Sequence, residues 1–209
     1  MVEPLPQEPG ETEELEENWI GIDLGTTYTA AGIWYNGNVR MLQNWEDGKM
    51  TTPSVVSYTN KGDTLVGNPA VNKAIRNLHN TVFDAKRLLG MRFSDEKIAE
   101  HQKTWPFEVV EGENDRPMIK LHKINNSDVT VFPEEVQAKV LSCIKRSADN
   151  TANKDIRKCV ITVPAYFKDN QKQSTLMAAR IAGLDCQAII NEPTAAALTF
   201  TKDVNNVME

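Results

Sequence analysis

The chain has 209 residues, of which 40% are hydrophobic and 25% are charged, a balance typical of a soluble globular protein. This length allows one large domain or two small ones. No apolar run approaches the length needed to span a bilayer, and no basic block with interleaved aromatic residues indicates nucleic-acid binding.

The net charge of −6 is concentrated at the start of the chain. Residues 1–17 contain seven Glu and no Lys or Arg, so the rest of the chain is nearly neutral. An acidic segment with several prolines and few apolar residues cannot bury enough surface to order itself. We therefore predict a disordered acidic tail over residues 1–17. It lacks the basic start and apolar core of a secretory signal.

The next stretch is the most informative one. Two apolar, strand-like pieces at 19–22 and 30–34 flank a polar turn that contains Asp23, Gly25, Thr26, Thr27 and Tyr28. A glycine lets the backbone approach a ligand closely, and backbone N–H groups and hydroxyls of such a turn can surround phosphate oxygens. Asp23 offers an oxygen to a Mg²⁺ ion that keeps several of its waters. The alternative is an ordinary hairpin whose Gly and Thr residues only form the turn.

The remainder of the first half reads as strands and turns. Asn36-Gly37 predicts a hairpin between strands at 30–35 and 38–43. Short strands are predicted at 54–59 and 64–67, followed by a helix at 69–78. The region 91–131 is mixed, with strands at 118–122 and 129–132.

The second half alternates between helices and strands. Helices are predicted at 133–149, at 169–182 and from Pro193 onward, and strands at 159–163 and 187–190. Strand-helix-strand order implies parallel strands joined by helical crossovers, so the fold class is α/β.

Four segments, in this order, closely resemble the ATPase domain of the heat-shock protein 70 chaperone family. They are IGIDLGTTYT at 20–29, NTVFDAKRLLG at 80–90, ITVPAYF at 161–167 and IINEPTAAA at 189–197. The resemblance implies a ribonuclease-H-like lobe of the actin-like ATPase architecture, with a small inserted α+β subdomain at about 55–131. On this reading residues 18–209 are the first lobe of the nucleotide-binding domain. The family's second phosphate loop, second lobe and peptide-binding domain are expected to be absent.

The resemblance also implies which residues act. Lys86 corresponds to the family's catalytic lysine. Asp23 and Glu192 are implied to hold Mg²⁺ through water, and Glu192 is also implied to help organise the attacking water. Gly25, Thr26, Thr27 and Tyr28 are implied to contact the phosphates of ATP or ADP. Without the resemblance, Lys86 reads as a solvated helix lysine and Glu192 as a carboxylate favoured by a helix N-terminus.

A relay of nucleotide state is implied for Pro164 together with Lys172. Pro164 also ends a strand and fixes a rigid corner on structural grounds alone. Lys172 stands where the family usually has arginine, and lysine keeps the charge but loses the planar fork of the guanidinium.

The intact protein is thus expected to be an ATP-hydrolysing chaperone that binds and releases unfolded polypeptides with J-domain cochaperones and nucleotide exchange factors. A sugar kinase of the same architecture is disfavoured by the ITVPAYF and NEPT segments. A non-catalytic, partner-binding module remains the alternative, because a cleft between two lobes cannot form from one. We expect the 209-residue chain alone to be inactive and to self-associate through an exposed lobe face.

The cysteines and histidines add no metal or disulfide pattern. Cys143, Cys159 and Cys186 show no C-x-x-C spacing, and the three histidines are scattered. Thiols packed as small hydrophobic groups fit a reducing compartment, so we expect a cytoplasmic location without a membrane partner.

Overall fold

The computed structural model describes residues 18–207, so the predicted tail at 1–17 lies outside the described residues. The strands are β1 (Ile20–Leu24), β2 (Tyr28–Tyr35), β3 (Asn38–Met41), β4 (Thr51–Pro53), β5 (Val56–Tyr58), β6 (Thr64–Val66), β7 (Thr81–Val82), β8 (Glu108–Glu111), β9 (Pro117–Ile124), β10 (Ser127–Val131), β11 (Lys158–Val163) and β12 (Asp185–Asn191). The helices are α1 (Asn68–Ala74), α2 (Glu96–Gln102), α3 (Pro133–Ala152), α4 (Asp169–Ile181) and α5 (Glu192–Val207).

A mixed six-stranded sheet organises the fold, in the order β12-β11-β1-β2-β3, with β4 also paired to β2. β1 pairs in parallel with β11, and β11 pairs in parallel with β12. β2 runs antiparallel to β1, β3 and β4. The predicted α/β class is therefore confirmed, and the predicted parallel strands lie side by side.

The main core forms where the sheet meets α3 and α4. In β1, Ile20, Ile22 and Leu24 are buried while the residues between them are exposed, the alternation expected of a strand with one covered face. Val136 and Val140 on α3 join the same core at the predicted helical spacing. The carboxylate of Glu135 accepts from the backbone N–H of Phe132 at 2.7 Å, which satisfies a donor at the start of α3.

The segment between β4 and α3 forms two smaller sheets. One has the order β6-β5-β7 and the other has the order β10-β9-β8. Trp105 and Phe107 stack with ring centroids 5.3 Å apart, and both are buried. This segment carries Lys86 in a short 3-10 helix, Ala85–Arg87, and so delivers that lysine to the edge of the main sheet. The division into a lobe and an inserted subdomain stays a prediction.

Local details differ from the sequence-based expectations in several elements. The helix predicted at 69–78 ends at Ala74, because the Asn77 amide bonds to the Tyr58 carbonyl at 2.7 Å and to the Ser57 hydroxyl at 3.0 Å. β4, β7, β8 and α2 were not predicted as elements. α3 continues three residues past Asp149 and closes at Asn153, whose φ of 52° is left-handed. Among the described helices, none is long and apolar enough to cross a membrane.

Candidate active site

The candidate site lies at one edge of the main sheet, where three parallel strands end. The register aligns Asp23 of β1 with Thr162 of β11, and Val163 of β11 with Asn191 of β12. Glu192 follows at once as the first residue of α5. Because parallel strands present their carboxyl ends at the same edge, residues from three distant stretches meet there.

The turn between β1 and β2 is tightly folded around Gly25. A Cβ built on Gly25 would lie 2.1 Å from the carbonyl oxygen of Tyr28, so any other residue would force the turn apart. Thr27 and Tyr28 are exposed at the tip, and Tyr28 is 56% exposed. The turn is thus compact at its base and offers its tip to a ligand.

Ser54, which the sequence analysis did not single out, holds this turn in place. Its hydroxyl donates to the Gly25 carbonyl at 2.8 Å, and its N–H donates to the Thr27 carbonyl at 2.9 Å. The hydroxyls of Ser54 and Thr29 also lie 3.0 Å apart, and both residues are buried. Two bonds to this short turn and one to the adjoining strand give the turn a fixed shape before any ligand arrives.

Lys86 is the buried cation of the site. Its side chain is only 3% exposed, and its Nζ lies 2.8 Å from Oε1 of Glu192, which is 39% exposed. The same Nζ lies 5.5 Å from the centroid of the buried Phe167 ring, within the range of a cation–π contact. The reading of Lys86 as a solvated helix lysine is therefore wrong. Its neighbour Arg87 is about half exposed and pairs with Asp84 at 3.3 Å.

Asp23 is the exposed carboxylate of the site. The hydroxyl of Thr162 on β11 donates to its Oδ1 at 2.8 Å, which fixes one oxygen and leaves the other available. Thr162 was not predicted as a site residue. Its signal in the sequence is a hydroxyl inside an otherwise apolar strand, KCVITV, at the position that faces Asp23.

The two residues of the implied relay lie in different environments. Pro164 is buried directly after β11, and its carbonyl accepts from the N–H of Phe167 at 3.0 Å, which makes a tight corner. Lys172 lies on α4, where its Nζ is 4.0 Å from the Asp169 carboxylate. That pair is solvent-accessible and contributes little to stability.

A cavity of about 780 Å³ adjoins this edge of the sheet. Its lining includes Thr26 of the turn, Lys86, Pro164 and Phe167. Cavities that bind drug-sized ligands typically measure about 300–1,000 Å³, and the volume of this cavity lies within that range. Thr26 and Lys86, predicted from two separate motifs, face one space, while Glu192 joins them through its bond to Lys86.

Comparison with known proteins shows the family of this chain. A family model described as Hsp70 protein matches residues 19–206. The chain belongs to the Hsp70 family. It is 43% identical over 187 residues to the heat shock cognate HSP70 protein of Trypanosoma brucei brucei, an overlap of 90% of this chain and 27% of that relative.

Two further Hsp70 relatives match to a similar extent. Chaperone protein DnaK of Buchnera aphidicola subsp. Schizaphis graminum is 44% identical over 184 residues, covering 88% of this chain and 28% of the relative. The heat shock cognate 70 kDa protein 3 of Dictyostelium discoideum is 45% identical over 185 residues, covering 88% of this chain and 29% of the relative. The chain thus spans less than a third of the length of these three relatives.

Membership of the Hsp70 family implies nucleotide binding, and the residues present suit it. The close turn at Gly25 has no room for a side chain, because a Cβ there would meet the Tyr28 carbonyl, and the exposed tip of the same turn carries backbone groups and the Thr27 hydroxyl. The available carboxylates are Asp23 and Glu192, and among the described residues no cluster of three or more metal-ligating side chains occurs. Two carboxylates suit a Mg²⁺ ion that is held largely by water and phosphate better than one enclosed by protein ligands.

Proposed function

We propose that this chain supplies one wall of an ATP-hydrolysing site in an Hsp70-type chaperone. The observation that carries the proposal is the Lys86–Glu192 pair, 2.8 Å long, placed beside the turn at Gly25 and the carboxylate of Asp23. Burying a lysine costs free energy unless it has a partner, and here the partner is itself partly exposed. Such an arrangement suits a cation that must meet a developing negative charge.

Each residue has a distinct role in this proposal. The backbone and hydroxyls of Thr26 and Thr27, with Gly25 and Tyr28, position the phosphates of ATP or ADP. Lys86 faces the terminal phosphate, while Glu192 orients the ammonium and an attacking water. Asp23, held by Thr162, orients water molecules of a bound Mg²⁺ ion, which would neutralise phosphate charge. Phosphoryl transfer to water depends on this positioning and on electrostatics rather than on a covalent enzyme intermediate.

In a protein that also carries the remaining regions of the relatives, hydrolysis would drive binding and release of unfolded polypeptides. J-domain cochaperones and nucleotide exchange factors are the proposed partners, with Pro164 and Lys172 as the proposed relay of nucleotide state. The proposed location is cytoplasmic. These proposals rest on family membership and on the candidate active site rather than on any partner contact.

The nucleotide site can be tested with the 209-residue chain itself by titrating Mg-ATP and Mg-ADP in a calorimeter. Because all the proposed contacts come from one wall, we expect weak binding, with a Kd of about 0.1–1 mM, and no turnover above background. Lys86→Ala should abolish this binding, while Lys139→Ala, an exposed lysine on α3, should leave it unchanged. Binding that is equal in both variants, or absent at millimolar nucleotide, would refute the proposed site.

Turnover is measured in the same samples by phosphate release. Turnover comparable with that of an intact two-lobed ATPase, and lost in Lys86→Ala, would show that one wall suffices for catalysis. It would overturn the expectation that this chain is inactive alone.

A further inference from the structure

Two of the three cysteines, far apart in the sequence, are neighbours in the sheet. Cys159 of β11 and Cys186 of β12 are direct register partners on parallel strands. Paired strands lie about 4.7–4.9 Å apart, which falls inside the Cα separation of about 4.4–6.8 Å that a disulfide accepts. Lys158 pairs with Asp185 one position earlier, so the two cysteines project from the same face of the sheet.

A bulge follows this pair at once. The register shifts between Cys159 and Val160, so that Val160 faces Ala188 rather than Gln187. In its protonated form the Cys186 thiol donates to the Ala188 carbonyl across this bulge at 3.3 Å. Bulges often redirect a side chain, and here the hydrogen bond fixes the sulfur of Cys186 at the bulge, next to the register partner Cys159.

The two thiols have different environments. Cys159 is completely buried, whereas Cys186 is only partly buried. A hydrogen bond from the Cys159 thiol lowers the pKa of Cys186, and the same bond together with burial raises the pKa of Cys159. Cys186 is therefore the more accessible of the two thiols and the one whose ionisation its surroundings favour.

A second cavity gives a small molecule a route to Cys186. It measures about 230 Å³, and its lining contains Cys186, Arg157, Arg180 and Asp185. The third cysteine, Cys143, is 8% exposed, and burial is the main cause that raises its pKa to about 11. Cys143 therefore serves as an internal reference for an unreactive thiol.

We propose that Cys186 and Cys159 form a peroxide-responsive site that closes to a disulfide between β11 and β12. Hydrogen peroxide, the oxidant, transfers one oxygen to the Cys186 thiolate, which with a proton gives the sulfenic acid and one water. The Cys159 sulfur then attacks the Cys186 sulfur, its proton leaves with the hydroxyl as a second water, and the S–S bond forms. In total the two thiols lose two electrons and two protons, and one peroxide takes them up and is reduced to two waters.

The bond would join strands that both lead into the candidate active site. β12 continues from Cys186 to Asn191 and then to Glu192, while β11 continues from Cys159 to Thr162. The proposal itself concerns only the thiols, and it stands whether or not this chain binds nucleotide.

The test is non-reducing peptide mapping of the 209-residue chain after hydrogen peroxide treatment and alkylation of free thiols. Trypsin separates the three cysteines into different peptides: one begins at Val140, one at Cys159 and one at Ile181. We expect the last two to appear as one linked species lighter by two hydrogens, reversible by dithiothreitol, in protein that stays monomeric on a non-reducing gel. The Cys143 peptide should appear in its alkylated form, because this thiol stays free during the peroxide treatment.

Single variants test the order of the steps. In Cys159→Ala, dimedone should trap a sulfenic acid on Cys186, while in Cys186→Val the peptide from Cys159 should stay alkylated. Cys143→Ala, the matched control, should still form the bridge. Three results in peroxide-treated wild type would overturn the proposal: Cys159 and Cys186 that both stay free, a bridge that forms only between molecules, or a bridge that includes Cys143. Because these results come from the wild type, they do not depend on whether a variant folds.

Discussion

The Lys86–Glu192 pair is asymmetric, because one charge is buried and the other is not. Lys86 is 3% exposed and Glu192 is 39% exposed. In Glu192→Gln the buried ammonium keeps a neutral acceptor but loses its counter-charge, so unfolding should become easier by about 1–3 kcal/mol. In Lys86→Met a flexible apolar chain replaces the lysine stem next to Phe167, and Glu192 can turn to solvent. That change should cost less than about 1 kcal/mol.

The assay is urea unfolding of four proteins: the wild type, each single variant and the double variant Lys86→Met/Glu192→Gln. We expect the double variant to recover most of the loss caused by Glu192→Gln, because it removes the stranded charge. The difference between the double variant and the sum of the singles measures the coupling. The control is Lys139→Met at an exposed position on α3, which shows the effect of removing a lysine outside the site. Equal losses in both single variants, or strict additivity, would refute the assignment of the buried charge as the costly one.

Three more variants probe the rest of the site and the exposed sheet face. Gly25→Ala places a Cβ 2.1 Å from the Tyr28 carbonyl, so calorimetry should show Mg-ATP affinity reduced by about tenfold or more. Thr162→Val removes the hydrogen bond to Asp23. The Mg²⁺-dependent part of nucleotide binding should fall, while the free energy of unfolding in urea changes by less than about 1.5 kcal/mol. Unchanged Mg²⁺ dependence would contradict the proposed role of Thr162. On the outer strand β3, Val39 is 66% exposed and Met41 is 47% exposed. The double variant Val39→Lys/Met41→Lys should therefore self-associate less than the wild type in analytical ultracentrifugation. A strictly monomeric wild type would refute that expectation.

Local sequence signals predicted most of the elements but not their mutual placement. The Asn36-Gly37 hairpin and α3 follow from turn chemistry and helical periodicity, and both are present in the structure. The end of α1 did not follow, because it depends on Asn77 reaching the Ser57 hydroxyl and Tyr58 carbonyl, a contact between separate elements. Helix propensity depends on residues that are close in the sequence, so it does not account for a hydrogen-bond partner in a separate element.

The candidate site divides in the same way. Lys86 and Glu192 were predicted through a resemblance, whereas Ser54, Thr162 and Phe167 became visible only through their contacts. A serine after a proline and a threonine inside a strand look ordinary in isolation. Their function is to hold the groups that act, and that requires knowing which strands are adjacent.

The sequence separations in the site have a physical consequence. Lys86 and Glu192 are 106 positions apart, and Asp23 and Thr162 are 139 positions apart. No local unit can therefore assemble the site before β1, β11 and β12 pair and the segment carrying Lys86 docks. Formation of the site and folding of the sheet are linked, so a ligand that needs both contacts binds only the folded chain and must stabilise it. For a ligand at about 100 times its Kd this linkage amounts to about 2.7 kcal/mol, and it disappears in a variant that folds but lacks Lys86. Stabilisation by Mg-ATP that survives Lys86→Met would place the nucleotide elsewhere, even if the sheet were intact.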